Sequence, residues 1–195
     1  MEILGKILGS QSRVKIMRLF LQNKDTVFSS RDIISRSRVG ADALRRELNL
    51  LRSVNFIKKN TKGYFFNSSS FKYTREFEVL LIGTDSFDEG SISNTFKNTG
   101  KLKLLVASGY FIKNKDSRVD VLVVGDTLKR SKIEEGIKKL EAEIGTELTY
   151  AVFETQEFLY RLNMYDKLVR DILDFPHKVL VQAKELSPQV LKGSK

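Results

Sequence analysis

The chain has no cysteine and no tryptophan, and its 195 residues include a single histidine, His177, and two prolines. Without cysteine there are no disulfides and no thiolate metal sites, and this composition fits a reducing cytoplasm, where we expect the protein. One histidine cannot supply a cluster of imidazole ligands. The sequence contains no run of 18 apolar residues, and its start does not resemble a secretory signal. We therefore expect no membrane partner, no metal site and no cofactor.

Positive charge is abundant, but it is concentrated in the first third of the chain. Residues 1–75 contain 16 Lys and Arg against 5 Asp and Glu, whereas residues 76–195 contain 18 against 19. The net charge of +10 therefore arises from the N-terminal segment. Such clustering is typical of a module that binds a polyanion, most often nucleic acid. We expect the binding residues in this segment.

The apolar spacing of the basic segment predicts three helices followed by a hairpin. Helices are expected at 11–22, in a short segment capped by Ser29 or Ser30, and at about 41–53. The two strands of the hairpin are expected at 54–59 and 64–66. The stretches SSRDIISRSRVGADALRRELNLLRSVNFIKK and NTKGYFFN occur in this order. They resemble the winged helix-turn-helix superfamily of DNA-binding proteins. The resemblance implies a recognition helix at 41–53 and a wing at the hairpin.

The third predicted helix has two chemically different faces. At 100° per residue, Leu44, Leu48 and Leu51 form one apolar stripe, which we expect to be buried. The opposite face carries four polar residues: Asp42, Arg45, Arg46 and Asn49. In a major groove, arginine can pair with guanine and asparagine with adenine, while an aspartate can accept from cytosine or stabilise the helix N-terminus. A solvated amphipathic helix is the alternative interpretation of the same pattern.

Further residues around this helix are predicted to contact the phosphate backbone. Ser30, Arg31 and Arg38 precede the third helix, and the predicted hairpin adds Lys58, Lys59 and Lys62. Contacts of this kind position a protein on the duplex without reading its sequence. The full predicted DNA-binding set is Ser30, Arg31, Arg38, Asp42, Arg45, Arg46, Asn49, Lys58, Lys59 and Lys62.

The chain changes character after about residue 100. Predicted strands at 104–107, 119–124, 148–153 and 178–182 alternate with predicted helices at 129–144, 155–163 and 165–173. The strand at 119–124 is almost continuously apolar, which predicts burial on both faces of a sheet. We therefore predict an α/β fold, α+β overall, for the chain as a whole.

The segment VASGYFIKNKDSRVDVLVVGD resembles the signature of minimal nucleotidyltransferase domains. Nucleotidyl transfer requires two metal ions held by carboxylates. Asp120 matches one such ligand, but Arg118 stands where the first aspartate is expected, and the strand at 148–153 has no carboxylate. We expect Arg118 and Asp120 to form an ion pair, and Asp116 and Asp126 to be loop carboxylates. The resemblance thus implies a catalytically inactive domain with no catalytic residues.

These observations predict four segments and one principal function. Residues 1–70 form a winged helix-turn-helix domain, 71–99 a helical linker, 100–183 a nucleotidyltransferase-like domain and 184–195 a basic mobile tail. The predicted function is that of a sequence-specific regulator of transcription that binds double-stranded DNA and is not an enzyme. We expect a homodimer, because two half-sites raise specificity, and a small-molecule or protein effector acting on the C-terminal domain. The alternatives are an active nucleotidyltransferase that modifies a protein or RNA, and an RNA-binding adaptor.

Overall fold

The computed structural model describes residues 3–83 and 89–186. They form a mixed α/β structure with one two-stranded and one four-stranded sheet. Of these residues, 3–83 and 138–147 belong to one compact unit, and 89–137 and 148–186 belong to a second. Among the described residues, none of the helices has the length and apolar character needed to cross a membrane.

The first unit contains five helices and a hairpin within residues 3–83. The helices are α1 (Ile3–Ile7), α2 (Gln11–Gln22), α3 (Ser30–Ser37), α4 (Ala41–Ser53) and α5 (Thr74–Ile82), and the strands are β1 (Ile57–Lys59) and β2 (Tyr64–Phe66). The strands pair antiparallel, with Lys58 opposite Phe65. The core of the unit is formed by apolar side chains from these helices and from the hairpin. Fully buried examples are Val14, Ile16, Phe20, Ile33, Phe56 and Leu81.

The segment after the hairpin packs onto the first unit. Phe71 lies edge-on to Phe56, with ring centroids 4.9 Å apart, and it also contacts Phe66 and Phe77. Asn67 is buried, and its Nδ2 donates to the Asn55 carbonyl at 2.8 Å. This grouping differs from the predicted division at residue 70, because aromatic contacts join the start of the predicted linker to the hairpin.

The end of the long helix α7 (Arg130–Ile144) also belongs to the first unit. Arg18 is almost fully buried in α2, where Nη1 donates to the Glu143 carbonyl at 3.0 Å and Nε to the Leu81 carbonyl at 2.7 Å. Asn23 Nδ2 donates to the Gly145 carbonyl at 2.8 Å. Gly145 has a φ of +82°, and a Cβ there would lie 2.5 Å from the Arg18 backbone. Glycine therefore allows the two backbones to approach each other.

The second unit is built on a four-stranded sheet with strand order β5–β4–β3–β6. Its strands are β3 (Lys101–Ala107), β4 (Val121–Asp126), β5 (Tyr150–Glu154) and β6 (Lys178–Gln182), and its other helices are α6 (Glu89–Phe96), α8 (Thr155–Asn163) and α9 (Lys167–Asp174). β3 pairs antiparallel with β4 and β6, whereas β4 and β5 are parallel. Val121 to Val124 are fully buried, which confirms the predicted burial of this strand on both faces.

Candidate nucleic-acid interface

The helix α4 has the two faces that the sequence predicts. Leu44, Leu48 and Leu51 are buried in the core of the first unit. The four residues of the opposite face are all exposed: Asp42, Arg45, Arg46 and Asn49. Asp42 lies in the first turn, where a carboxylate interacts favourably with the helix dipole. The helix therefore presents two arginines and an amide outward, and it is held by a leucine stripe behind them.

All ten residues of the predicted DNA-binding set are exposed in the structure. They lie on four neighbouring parts of the first unit, namely α3, the turn after it, α4 and the hairpin. Arg38 follows α3 in the left-handed conformation, with φ of +53°, and its N–H donates to the Ile34 carbonyl. Exposure is necessary for nucleic-acid contact, and the structure leaves every candidate accessible.

Backbone hydrogen bonds tie the hairpin to the start of α3. Phe28 and Tyr64 exchange two N–H to carbonyl hydrogen bonds, both 2.8 Å long. Gly63, at the hairpin turn, has a φ of +151°, and a Cβ there would lie 2.3 Å from the Phe28 carbonyl oxygen. Because Ser30 and Arg31 follow Phe28 by only two and three residues, the bridge holds the first turn of α3 beside the basic hairpin.

The N-terminus of α3 is closed by a reciprocal capping box between Ser29 and Asp32. Ser29 Oγ accepts from the Asp32 N–H at 3.2 Å, and Asp32 Oδ2 accepts from the Ser29 N–H at 2.9 Å. Hydrogen bonds from the Ser29 side chain and then from its backbone lower the pKa of Asp32 below its ordinary 3.8. Of the two serines predicted as caps, Ser29 has this role, so the Ser30 side chain is exposed in the first turn.

Ion pairs engage several other cations of the first unit. Arg13 pairs with Glu47 at 2.8 Å and Lys15 with Glu143 at 2.7 Å. Lys24 and Arg36 are also paired, with Glu78 and Glu147 respectively. Within residues 3–83 and 89–186, no ion pair joins a carboxylate to the following cations of the interface: Arg31, Arg45, Arg46, Lys58 and Lys62. Four of these five cations lie on α4 and the hairpin, and Arg31 lies on α3.

Sequence reasoning missed one exposed cation on the same side of α4. Arg52 follows Arg45 by seven residues, which is nearly two full helical turns, so the two side chains leave the helix on the same side. Arg52 is exposed and lies at the end of α4 nearest to β1. Extending the 100° spacing by one more turn would have identified it. The set of outward-facing cations on α4 is therefore Arg45, Arg46 and Arg52.

In the second unit, Asp120 binds backbone amides with both carboxylate oxygens. Oδ1 accepts from the Tyr110 N–H at 2.6 Å, and Oδ2 accepts from the Thr149 N–H at 2.8 Å. Gly109 has a φ of +49°, and a Cβ there would lie 2.2 Å from Oδ1. These contacts fix the short 3₁₀ turn Gly109–Ile112 against the residue that precedes β4. The carboxylate thus has a structural role in joining two loops.

The predicted ion pair between Arg118 and Asp120 is wrong. Arg118 pairs instead with Asp171 on α9, because the amides around Asp120 already satisfy its carboxylate. Asp116 lies in a turn, as predicted. Asp126 is the last residue of β4 and not a loop residue, and it pairs with Lys103 at 2.9 Å. Within the described part of the chain, no group of three or more histidine and carboxylate side chains could hold a metal ion.

Two depressions on the second unit differ in volume. One, of about 170 Å³, lies between α7 and β5 and is lined by Arg130, Ile133, Glu134, Tyr150 and Val152. The other, of about 430 Å³, lies along α8 and is lined by Glu157, Tyr160, Arg161, Met164 and Asp166. Drug-sized ligands usually occupy pockets of about 300–1,000 Å³. Of these two depressions, the one along α8 has a volume in that range.

Comparisons of the chain with models of known families, with curated proteins and with solved structures find no match. The assignment of the interface therefore rests on the exposure, charge and backbone geometry of the first unit. The strongest of these observations is the outward face of α4, where Arg45, Arg46 and Asn49 stand beside a hairpin with three exposed lysines.

Proposed function

We propose that this protein is a sequence-specific, double-stranded-DNA-binding regulator of transcription in the cytoplasm. Its first unit acts as a winged helix-turn-helix, with α4 as recognition helix and the β1–β2 hairpin as wing. The observation that carries this proposal is the outward face of α4, because Arg45 and Arg46 are exposed and unpaired among the described residues. An arginine fork in a major groove donates two hydrogen bonds to guanine, which no other base pair accepts in the same geometry.

The residues around α4 complete the proposed contact. Ser30 and Arg31 at the start of α3, Arg38 after it, and the hairpin lysines can all reach phosphate oxygens. Asp42 faces the same side and disfavours phosphate, so we assign it to the helix N-terminus or to a cytosine amino group. Phosphate contacts supply most of the affinity, and base contacts supply the sequence preference.

The second unit has a supporting role in this proposal. We assign it to a nucleotidyltransferase-like class of domain that is catalytically inactive. Its role would be dimerisation or the sensing of an effector. Both oxygens of Asp120 are bound to backbone amides, which opposes its use as a ligand for two metal ions. Dimerisation would place two copies of α4 on two half-sites.

Fluorescence anisotropy tests the proposal with three labelled polymers: a duplex selected from a random pool, an unselected duplex and a structured RNA. We expect the protein to bind the selected duplex at least tenfold more tightly than the other two polymers at 0.15 M salt. Preferential binding of RNA would favour the adaptor. Weak and equal binding of all three polymers would leave only non-specific attraction and would contradict the proposal.

A further inference from the structure

A groove runs between the last turn of α4 and strand β1. Its volume is about 550 Å³, and it is shallow and widely open to solvent. The groove is lined by residues from both elements and from the turns at each end of β1, including Asn49, Arg52, Asn55, Lys58, Lys59 and Asn60. Neither Arg52 nor the turn asparagines belong to the predicted DNA-binding set.

The groove has the chemistry of a site for a polyanionic strand. Three of its lining residues are cations, Arg52, Lys58 and Lys59, and none of the described lining residues carries a carboxylate. Within residues 3–83 and 89–186, Arg52 and Lys58 form no ion pair, while Lys59 lies 5.4 Å from the centroid of the Tyr64 ring. The remaining polar lining consists of three asparagine amides, which can donate to phosphate oxygens, and of Ser53, whose hydroxyl donates to the Leu50 carbonyl at 2.8 Å.

The two ends of the groove are held by internal hydrogen bonds. At one end, the buried Asn67 donates from Nδ2 to the Asn55 carbonyl at 2.8 Å, and Asn55 has a φ of +58°. At the other end, Asn60 Oδ1 accepts from the Lys62 and Gly63 N–H groups, both at 2.9 Å. A site whose walls are already ordered loses little conformational entropy when a ligand binds.

The dimensions of α4 agree with a contact of this kind. A helix of 13 residues is about 20 Å long, whereas the major groove of B-DNA is about 12 Å wide. A helix that crosses the groove can therefore face base edges over roughly eight residues. Asp42, Arg45 and Arg46 occupy the first half of α4, and Asn49 and Arg52 the second.

We propose that this groove holds the phosphodiester backbone of one DNA strand, with Arg52 as its principal phosphate contact. This inference rests on the proposed function and divides α4 into two parts. The first two turns read bases through Arg45 and Arg46, whereas the last turn binds the backbone. Asn49 then donates its amide to a phosphate and does not pair with adenine. A free phosphate or nucleotide shares this chemistry, and the experiment separates it from the strand.

The test compares Arg52→Ala, Arg52→Lys and the matched control Arg75→Ala, which removes an exposed arginine from α5 of the same unit. Affinities for the selected duplex and for an unselected duplex are measured by anisotropy from 0.05 to 0.3 M salt. We expect Arg52→Ala to weaken both duplexes by the same factor, roughly five- to tenfold at 0.1 M salt, and to reduce the salt slope by about one unit. Arg52→Lys should retain most of the affinity, and Arg75→Ala should stay within twofold of the wild type.

Several results would overturn the inference. If Arg52→Ala weakens the selected duplex alone, Arg52 reads a base; if it behaves as Arg75→Ala does, the groove holds no strand. Inorganic phosphate or ATP, added at constant ionic strength, should displace the duplex no better than chloride does. Displacement at micromolar concentration of either anion would assign the groove to a small ligand. If the wild type binds no duplex, the proposed function fails as well. If the wild type binds the selected duplex specifically and Arg52→Ala binds it with the same affinity, only this inference is overturned.

Discussion

Arg13 Nε lies 2.8 Å from Glu47 Oε2, and this ion pair joins α2 to α4. Glu47 is only 7% exposed, so it faces the core side of α4 beside the buried leucines. Arg13 is also held by a hydrogen bond from Nη1 to the Leu8 carbonyl. The pair therefore anchors the proposed recognition helix α4 to α2.

Removal of Glu47 should destabilise the first unit. Glu47→Ala leaves the partly buried Arg13 guanidinium without its carboxylate, so we expect the free energy of unfolding to fall by about 1–3 kcal/mol. Urea denaturation followed by circular dichroism measures this loss. A cycle with Arg13→Ala provides the control, and we expect a coupling energy of about 0.5 kcal/mol or more. Strictly additive effects of the two substitutions would show that the pair contributes nothing.

Gly63→Ala should disturb the hairpin. The φ of +151° is strained for any L side chain, and the added Cβ would meet the Phe28 carbonyl oxygen at 2.3 Å. We expect a loss of about 1–3 kcal/mol in unfolding free energy, together with weaker duplex binding. Gly40→Ala is the matched control, because its φ is −66° and no atom lies within 4 Å of the new Cβ. Equal losses in the two variants would show that the Phe28 contact does not constrain the turn.

The capping box of α3 should give the first unit a pH-dependent stability. Because the pKa of Asp32 is lowered in the folded state, its contribution is present above the ordinary value of 3.8 and disappears as the pH falls through the lower folded value. The free energy of unfolding of the wild type should therefore no longer exceed that of Asp32→Asn below about pH 4. Denaturation of both proteins from pH 7 to pH 3 measures the difference, and Ser29→Ala should reduce it. A difference that stays constant with pH would contradict the role of Asp32.

Substitution of Asp120 should affect folding and not catalysis. Asp120→Ala leaves the Tyr110 and Thr149 N–H groups without their acceptor, so we expect a loss of about 1–3 kcal/mol in unfolding free energy. Asp116→Ala, in an exposed turn, should change stability by less than about 0.5 kcal/mol. A labelled-nucleotide assay should detect no transfer by the wild type. Transfer that disappears in Asp120→Ala while stability is unchanged would favour the active enzyme.

The sequence predicts most secondary structure because apolar spacing determines it locally. The predicted bounds of α2 and α4, at 11–22 and 41–53, agree with the structure, as do those of α8 and β6. In α4, the stripe of Leu44, Leu48 and Leu51 also determines which residues face outward. Exposure of the four predicted site residues on α4 therefore follows from one repeating pattern, without knowledge of tertiary contacts.

Contacts between distant parts of the chain were not predictable in the same way. Arg18 lies on the apolar stripe of α2, four residues after Val14 and three before Leu21, although its charge favours exposure. In the structure it is buried and donates to the carbonyls of residues 81 and 143, and the spacing does not predict these partners. Arg118 forms an ion pair with Asp171, which lies 53 positions later in the chain, and not with the nearby Asp120. The partners of Arg18 and Arg118 depend on which groups remain without a partner in the folded structure. The spacing of residues along one helix or strand does not show this. The grouping of residues 138–147 with the first unit arises from the same long-range bonds.

The most direct test of sequence reading by α4 is the affinity of an Arg45→Ala/Arg46→Ala double variant for the selected and unselected duplexes, measured by anisotropy at 0.15 M salt. The control is Lys62→Ala, which removes a proposed phosphate contact. We expect each arginine substitution to cost about 1–3 kcal/mol on the selected duplex and less on the unselected one, so the sequence preference collapses in the double variant. Lys62→Ala should weaken binding to both duplexes by the same factor and preserve the preference for the selected duplex. An undiminished preference in the double variant would contradict base reading by α4.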